Sequence, residues 1–251
     1  MEAISQIKEK LDVSEEQALL SFVKEYEADE RQGVKKLVKK AQKEYDALQK
    51  EKLRMEQMKQ YEQKYASCEY IAGIDEVGRG PLAGPVVTCA VILPKDCDLL
   101  YINDSKQVPE KRREILAEQI KECAVAYSIG IKDHQVIDEI NILQATYQAM
   151  QQAVQGLAVT PELLLVDAVT IPDLTIPQVP IIKGDAKSIS IAAASILAKV
   201  TRDHMMMEWD KAYPEYDFAS NKGYGSKKHI EAIKKYGPCP IHRQSFIHNF
   251  L

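Results

Sequence analysis

The sequence predicts an α/β fold in which helices flank a mixed five-stranded sheet, with a helical N-terminal extension and further helices at the C-terminal end. Short apolar runs broken by Gly and Pro predict five strands, near residues 70–75, 84–93, 124–132, 163–168 and 179–183. Helical periodicity predicts helices near residues 110–122, 134–156, 188–211 and 226–236. The early strands are close enough in the chain to pair antiparallel, whereas the later ones alternate with helices, and this combination indicates a mixed sheet.

A change of composition near residue 68 divides the chain into two predicted parts. Residues 1–68 contain one glycine, Gly33, no proline and many Glu, Lys and Gln residues, which is typical of helices. Residues 69–251 hold every predicted strand and form the main domain. At 251 residues the chain has room for one substantial domain and an appendage, because a core of roughly 150–200 residues already buries most of its apolar surface.

Composition also restricts the class of protein. The hydrophobic fraction of 45% excludes disorder throughout, and the formal net charge of -4 gives no overall basic signal for nucleic-acid binding. The cysteines form no CxxC pair and follow no signal peptide, and no apolar run approaches the ~20 residues that span a bilayer. We therefore expect a cytoplasmic protein without membrane contact. We also expect a monomer.

The N-terminal part contains a run of basic residues. A short first helix has Ser14 as its predicted cap, and a second helix, either continuous or with a break, is expected between about residues 30 and 65. From Arg31 to Lys43 every ionisable residue is basic, and their spacing puts them on adjoining faces of the second helix. These side chains form either an ordinary solvated helix surface or an accessory surface that contacts phosphates.

Acidic side chains lie at the ends of three predicted strands. Asp75 and Glu76 end the first strand, Asp167 ends the fully apolar fourth strand, and Asp185 follows the fifth. A strand that is apolar throughout belongs at the centre of a sheet, and acids at the ends of adjacent central strands converge. Unpaired, such carboxylates repel one another, and divalent cations remove the conflict. The set therefore predicts oxygen ligands for Mg²⁺ or Mn²⁺.

The chemistry expected of such a cluster is phosphoryl transfer. The set contains no His or Cys, which argues against a zinc hydrolase. With two ions, one activates water while the other stabilises the departing oxygen of an in-line displacement. The alternative to an enzyme is a noncatalytic nucleic-acid-binding module. A protein that only binds nucleic acid would gain nothing from acids that repel phosphate.

Six ordered blocks of sequence are distributed over most of the length of residues 70–251. They read GIDEVGRGPLAGPVV at 73–87, NDSK at 103–106, LLVD at 164–167, KGDAKSISIAAASILAKVTRD at 183–203, NKGYGSKKH at 221–229 and GPCPIHRQSF at 237–246. In these blocks the chain resembles the ribonuclease HII family, the bacterial type 2 ribonucleases H. The resemblance implies a ribonuclease H-like fold and endonucleolytic cleavage of RNA in RNA-DNA hybrids, including single ribonucleotides embedded in duplex DNA. Cleavage would fall on the 5′ side of the ribonucleotide and leave a 3′-hydroxyl and a 5′-phosphate.

The resemblance also assigns roles to individual residues. It makes Asp75, Glu76, Asp167 and Asp185 the catalytic acids that bind the metal. Asp203, in the AKVTRD block, lies well inside a predicted helix, where a solvated or salt-bridged acid is the better interpretation.

The substrate contacts come from loops. Gly78-Arg79-Gly80 matches the family segment whose backbone contacts the ribose 2′-hydroxyl and the adjoining phosphate, and glycine permits such a close approach. Tyr224 matches the tyrosine that packs on the sugar at the RNA-to-DNA junction; from its flanking glycines alone it would be a turn residue. Lys106 and Lys183 would contact backbone phosphates, with solvated loop lysines as the alternative.

Two alternatives concern the family and a protein partner. Ribonuclease HIII is a sister enzyme that prefers longer RNA tracts, and the GRG corner and short helical N-terminus favour HII. Residues 244–251 superficially resemble a peptide that binds a sliding clamp, although their first half belongs to the HRQSF block.

Overall fold

The computed structural model describes residues 2–11 and 15–250, so the predicted helix cap Ser14 lies outside the described residues. The chain divides into two compact units, Met1–Gln57 and Met58–Leu251. The domain limit predicted at residues 68 and 69 therefore lies inside the second unit. None of the helices in the described ranges combines the length and the apolar character that a bilayer crossing requires.

The first unit is helical, as its composition indicates. Helices α1 (Ile4–Glu9) and α2 (Glu16–Tyr26) precede α3 (Gln32–Met58), most of which belongs to this unit. Their apolar side chains form a small core of Ile7, Leu19, Phe22, Tyr26, Val34 and Ala41. The expected second helix is interrupted after α3, and a short α4 (Gln60–Lys64) follows it.

Helix α4 belongs to the second unit, and aromatic side chains in and just after this helix pack against the core of that unit. Tyr61 and Tyr65 lie against a buried cluster that includes Leu163, Leu165 and Ile191. A compositional limit at residue 68 does not detect this packing, since α4 has the same helical composition as the residues before it.

The second unit contains the predicted mixed five-stranded sheet. Its strands are β1 (Ile71–Val77), β2 (Val86–Ile92), β3 (Ala126–Lys132), β4 (Leu163–Asp167) and β5 (Gln178–Ile181). They lie in the order β3-β2-β1-β4-β5, with β2 antiparallel to both β1 and β3. Strand β1 is parallel to β4, and β4 is parallel to β5. The antiparallel pairing expected of the early strands is confirmed, and β1 is the central strand.

Helices cover the sheet and form the C-terminal part of the unit. They are α5 (Glu110–Cys123), α6 (His134–Ile140), α7 (Ile142–Gln155), α8 (Ile189–Ala212), α9 (Phe218–Asn221), α10 (Lys227–Tyr236) and α11 (Gln244–Ile247). The single helix predicted over 134–156 is wrong, because Asn141 has a φ of 71° and its side chain accepts hydrogen bonds from the next helix's first amides. Helices α9 and α11 span four residues each, too few for periodicity to predict.

Helix α8 lies directly on the central strand. A Cβ atom on Gly73 would come within 2.1 Å of the backbone carbon of Ser190, so only glycine permits this approach. Ala192, Ala193 and Ala194 are fully buried, so the small side chains of α8 allow the helix to pack closely on the sheet. The start of α8 is thereby held beside the ends of β1 and β4.

Candidate active site

Strand register brings two of the predicted acids together. Ile74 of β1 lies opposite Val166 of β4, and the next residue on each parallel strand is an acid, Asp75 and Asp167. Asp167 is in turn opposite Ile181 at the end of β5. Both carboxylates therefore lie at the carboxyl ends of adjacent parallel strands, the edge at which ligands bind in open α/β sheets.

A short 3-10 turn, Gly184–Ala186, carries Asp185 at the same edge. The Oδ1 atom of Asp167 accepts a hydrogen bond from the backbone N–H of Gly184 at 2.7 Å, which fixes this turn to β4. The Oδ1 atom of Asp75 accepts one from the backbone N–H of Glu76, also at 2.7 Å. Backbone N–H groups thus bind the carboxylates of Asp75 and Asp167, and the bond to Asp167 also fixes the turn that carries Asp185.

Burial and neighbouring negative charges disfavour the ionised forms of the two acids of β1, Asp75 and Glu76. Asp75 is 6% exposed, and burial raises its pKa well above the usual range, with the charges of Glu76 and Asp167 raising it further. Burial likewise raises the pKa of Glu76. Arg79 opposes that shift, since its Nη1 atom lies 3.4 Å from Oε1 of Glu76. The site therefore concentrates negative charge that one arginine partly offsets.

The pKa of Asp185 is also raised, and one of the acids near it, Asp104, was not predicted from the sequence. Burial raises the pKa of Asp185 to about 6, and the charges of Asp104 and Asp167 contribute. Asp104 is the second residue of the NDSK block, so its position in that block was the available signal. Its Oδ1 atom accepts a hydrogen bond from the backbone N–H of Lys106 at 3.0 Å.

The two lysines predicted to contact substrate differ in position. Burial lowers the pKa of Lys106, but the charges of Asp104, Asp75 and Asp185 outweigh this effect and raise it overall, so its ammonium group lies in the field of the acids. Lys183 is exposed on the turn before Asp185 and has a left-handed φ of 56°. Of the two, Lys106 is the lysine that reduces the pKa of the acids.

The donor set fits a hard divalent cation by chemistry. It consists of carboxylate oxygens, which are the ligands Mg²⁺ and Mn²⁺ prefer, and its repulsive charge is what such an ion would neutralise. Within residues 2–11 and 15–250, no group of three or more His, Cys, Asp or Glu side chains is already arranged to hold an ion. The acids would therefore have to turn toward a common point to ligate a metal.

Asp203 is not part of this cluster. It is buried in α8, and its Oδ1 atom lies 2.6 Å from Nζ of Lys199 one helical turn away. The interpretation of Asp203 as a salt-bridged helix acid is confirmed.

The glycine corner and the predicted tyrosine lie together. Gly78 has a φ of 91°, and a Cβ atom there would come within 2.3 Å of Nε of Arg202, so this position requires glycine. A Cβ atom on Gly80 would lie 3.7 Å from Cε1 of Tyr224, whose side chain is 43% exposed. A solvent-facing ring thus stands beside the GRG backbone.

A chain of hydrogen bonds runs from the Cys239 backbone through two buried histidines to the backbone carbonyl of Tyr224. The Cys239 N–H donates to Nδ1 of His242 at 2.9 Å, so the proton of neutral His242 is on Nε2. That nitrogen lies 2.9 Å from Nε2 of His229, whose Nδ1–H then donates to the Tyr224 carbonyl at 2.8 Å. Burial lowers the pKa of both histidines, that of His242 to about 4, so both are neutral near pH 7. Sequence reasoning missed both roles, although both residues lie in the quoted blocks.

The fold and the acids at its sheet edge define a nuclease of the ribonuclease H-like class. Ribonuclease H2 from Pyrococcus horikoshii superposes with a TM-score of 0.60 at 28% identity, over 70% of this chain and 93% of that one. The ribonuclease HII family model matches residues 72–249, and the model of the ribonuclease HII N-terminal domain matches residues 3–66. The chain belongs to the ribonuclease HII family, whose members are endoribonucleases acting on RNA-DNA hybrids.

Other relatives agree with this assignment. Ribonuclease HII of Lachnoclostridium phytofermentans is 60% identical over 98% of this chain and 97% of its own. The structure of a PCNA:RNase HII complex from Archaeoglobus fulgidus matches with a TM-score of 0.57 at 25% identity, over 69% of this chain and 93% of that one. The family models and the identity to ribonuclease HII decide against the ribonuclease HIII alternative.

Proposed function

We propose that this chain cleaves the RNA strand of RNA-DNA hybrids in a metal-dependent reaction, and that it also cuts on the 5′ side of single ribonucleotides in duplex DNA. The products would be a 3′-hydroxyl and a 5′-phosphate, and the biological role would be ribonucleotide removal from DNA. The observation that supports this most is that a partly buried carboxylate cluster lies next in the chain to a backbone corner that can read a ribose.

The acids would act as ligands. Asp75, Glu76, Asp167 and Asp185 would hold Mg²⁺ or Mn²⁺, with two ions during catalysis. When bound, such ions supply an activated water and charge stabilisation for the departing oxygen. Arg79 and Lys106 offset part of the negative charge, which reduces repulsion of the incoming phosphate.

The GRG corner and Tyr224 would select the ribose. Arg79 and Gly80 of the GRG corner are exposed, and Gly80 lies beside the Tyr224 ring with no Cβ to block a sugar. The 2′-hydroxyl both donates and accepts hydrogen bonds, so a backbone contact can distinguish RNA from DNA. Lys106 and Lys183 are the proposed contacts to neighbouring phosphates.

Residues 1–68 would add substrate affinity through the basic face of α3. Arg31 is not available for this, because it pairs with Asp29 at 2.6 Å. The other basic residues of this face are exposed lysines: Lys35, Lys36, Lys39, Lys40 and Lys43.

Recruitment by a sliding clamp is a second partner proposal, raised by the archaeal PCNA:RNase HII complex. In this chain the candidate segment begins with α11, where Ile247 is fully buried and Phe250 packs against the same core. The backbone N–H groups of Gln244 and Ser245 donate to Asp138 at 2.8 and 3.0 Å. Binding a clamp through this segment would require its release from that packing, so RNA-DNA duplexes are the partner we favour.

Cleavage of a duplex with one embedded ribonucleotide tests the proposed function. We expect cutting with Mg²⁺ or Mn²⁺, none with EDTA, and none of an all-DNA duplex of the same sequence. End-group analysis of the products should give a 3′-hydroxyl and a 5′-phosphate. Cleavage that survives EDTA would contradict the metal mechanism. Binding without cleavage in either ion would favour a noncatalytic module.

The basic face of α3 predicts a change in salt dependence. Replacing Lys39 and Lys40 by Ala should weaken hybrid binding. It should also reduce the slope of log K against log salt by about 1 for each phosphate that the variant no longer neutralises. Turnover at saturating substrate should not change.

The matched control replaces two other exposed lysines of the first unit, Lys24 and Lys50, and removes the same charge. Equal slopes for the two double variants would identify the face as an ordinary solvated surface.

A further inference from the structure

Arg243 is a buried arginine directly behind the GRG corner. It is 0% exposed and follows His242 in the C-terminal block. Its guanidinium donates three hydrogen bonds, from Nε to the carbonyl of Gly84 at 2.9 Å, from Nη1 to Arg79 at 2.9 Å and from Nη2 to Gly78 at 2.5 Å. Two consecutive peptide carbonyls of the corner thus point at one side chain.

The segment that carries Arg243 is itself fixed to the corner loop. The backbone N–H of Arg243 donates to the carbonyl of Leu82 at 2.8 Å, and that of Gly84 donates to Ile241 at 2.9 Å. Ala83 and His242 form an antiparallel bridge between these contacts. The guanidinium also lies 5.1 Å from the centre of the Phe246 ring. Arg243 therefore has little freedom to move away from the corner.

The direction of the two carbonyls determines the direction of two N–H groups. In a trans peptide the C=O of one residue and the N–H of the next point in opposite directions, and no cis peptide occurs in the described residues. The Gly78 and Arg79 carbonyls point inward at Arg243, so the N–H groups of Arg79 and Gly80 point outward. Both residues are exposed, and neither N–H has an acceptor among residues 2–11 and 15–250.

We infer that Arg243 is a positioning residue that orients the corner's peptides and so presents the Arg79 and Gly80 N–H groups as a paired donor for the ribose and its phosphate. The inference rests on the proposed function, because it presumes that this backbone reads the sugar. Arg243 does not touch the substrate, and its effect is transmitted by the two peptide planes.

Arginine suits this task for geometric reasons. Its planar fork has five N–H donors in fixed directions, so one side chain can hold three carbonyls at once. Lysine would place a single ammonium on a flexible stem and could not fix both peptide planes. Burial lowers the pKa of Arg243 to about 9, which leaves the group charged near neutral pH.

The test measures ribonucleotide preference, which a merely structural role would not change. Wild type and Arg243→Lys are titrated in EDTA with a duplex carrying one ribonucleotide and with the all-DNA duplex. We expect the ratio of the two dissociation constants to fall by about tenfold in Arg243→Lys, the equivalent of about 1.4 kcal/mol.

Arg202→Lys is the matched control. Arg202 is equally buried, packs against Gly78 and also binds three carbonyls, those of Pro85, Lys222 and Ala83, but neither carbonyl of the two presented peptides. At a similar loss of thermal stability, this variant should keep its ribonucleotide preference within about twofold, since Arg243 still binds the Gly78 and Arg79 carbonyls.

An unchanged ratio in Arg243→Lys, or an equal loss in both variants, would overturn the inference. If Arg243→Lys does not fold, amide exchange in the wild type decides. We expect fast exchange of the Arg79 and Gly80 N–H groups in the free protein and slower exchange with the ribonucleotide duplex only; slow exchange in the free protein would overturn it. A wild type without ribonucleotide cleavage would instead refute the proposed function, whatever the variants do.

Discussion

Asp75→Asn is expected to reduce turnover of an RNA-DNA hybrid by more than about 100-fold, because even outer partners of a metal site cost about 10- to 100-fold when removed. Asparagine keeps the shape of the side chain and removes the charge. Hybrid binding should stay within about threefold, since the acids repel phosphate rather than attract it. Steady-state cleavage and binding in EDTA measure the two effects separately, and Asp185→Asn should behave alike.

Thermal stability separates chemistry from folding in this experiment. The raised pKa of Asp75 means that its ionised form destabilises the folded chain, so Asp75→Asn should melt at a higher temperature than wild type in EDTA. Asp203→Asn is the control. It breaks the buried pair with Lys199 and should lower the melting temperature while leaving the turnover of folded enzyme within about threefold. Equal losses of turnover in both variants would contradict the assignment of Asp75.

Tyr224→Ala is expected to lower kcat/KM on the duplex with one embedded ribonucleotide by about 10- to 100-fold. A stacked aromatic contributes about 1–3 kcal/mol to nucleic-acid binding, and each 1.4 kcal/mol is a factor of ten. Tyr224→Phe keeps the ring and should retain most of the activity.

The matched control is Tyr236→Ala, which removes another exposed ring, at the end of α10, and should have little effect. Unchanged activity of Tyr224→Ala on the single-ribonucleotide substrate would contradict its role at the junction.

The four candidate acids could be predicted from the sequence because each follows an apolar run directly or within a few residues, and this pattern is local. Sequence reasoning missed Asp104, since a loop acid between Asn103 and Ser105 has no strand pattern to mark it. It also joined α6 and α7 into one helix, because helical periodicity continues through Asn141 and only the backbone angle of that residue ends the first helix.

By itself, the sequence determined the fold class, the order of the five strands along the chain, the family and the four candidate acids, because these follow from short-range patterns and from blocks of residues in a fixed order. Only the tertiary structure decided how distant blocks support one another. Arg243 is 165 positions from the Gly78 carbonyl it binds, and His242 reaches Tyr224 through His229. Such contacts depend on three-dimensional packing and hydrogen-bond direction, which no local sequence pattern encodes.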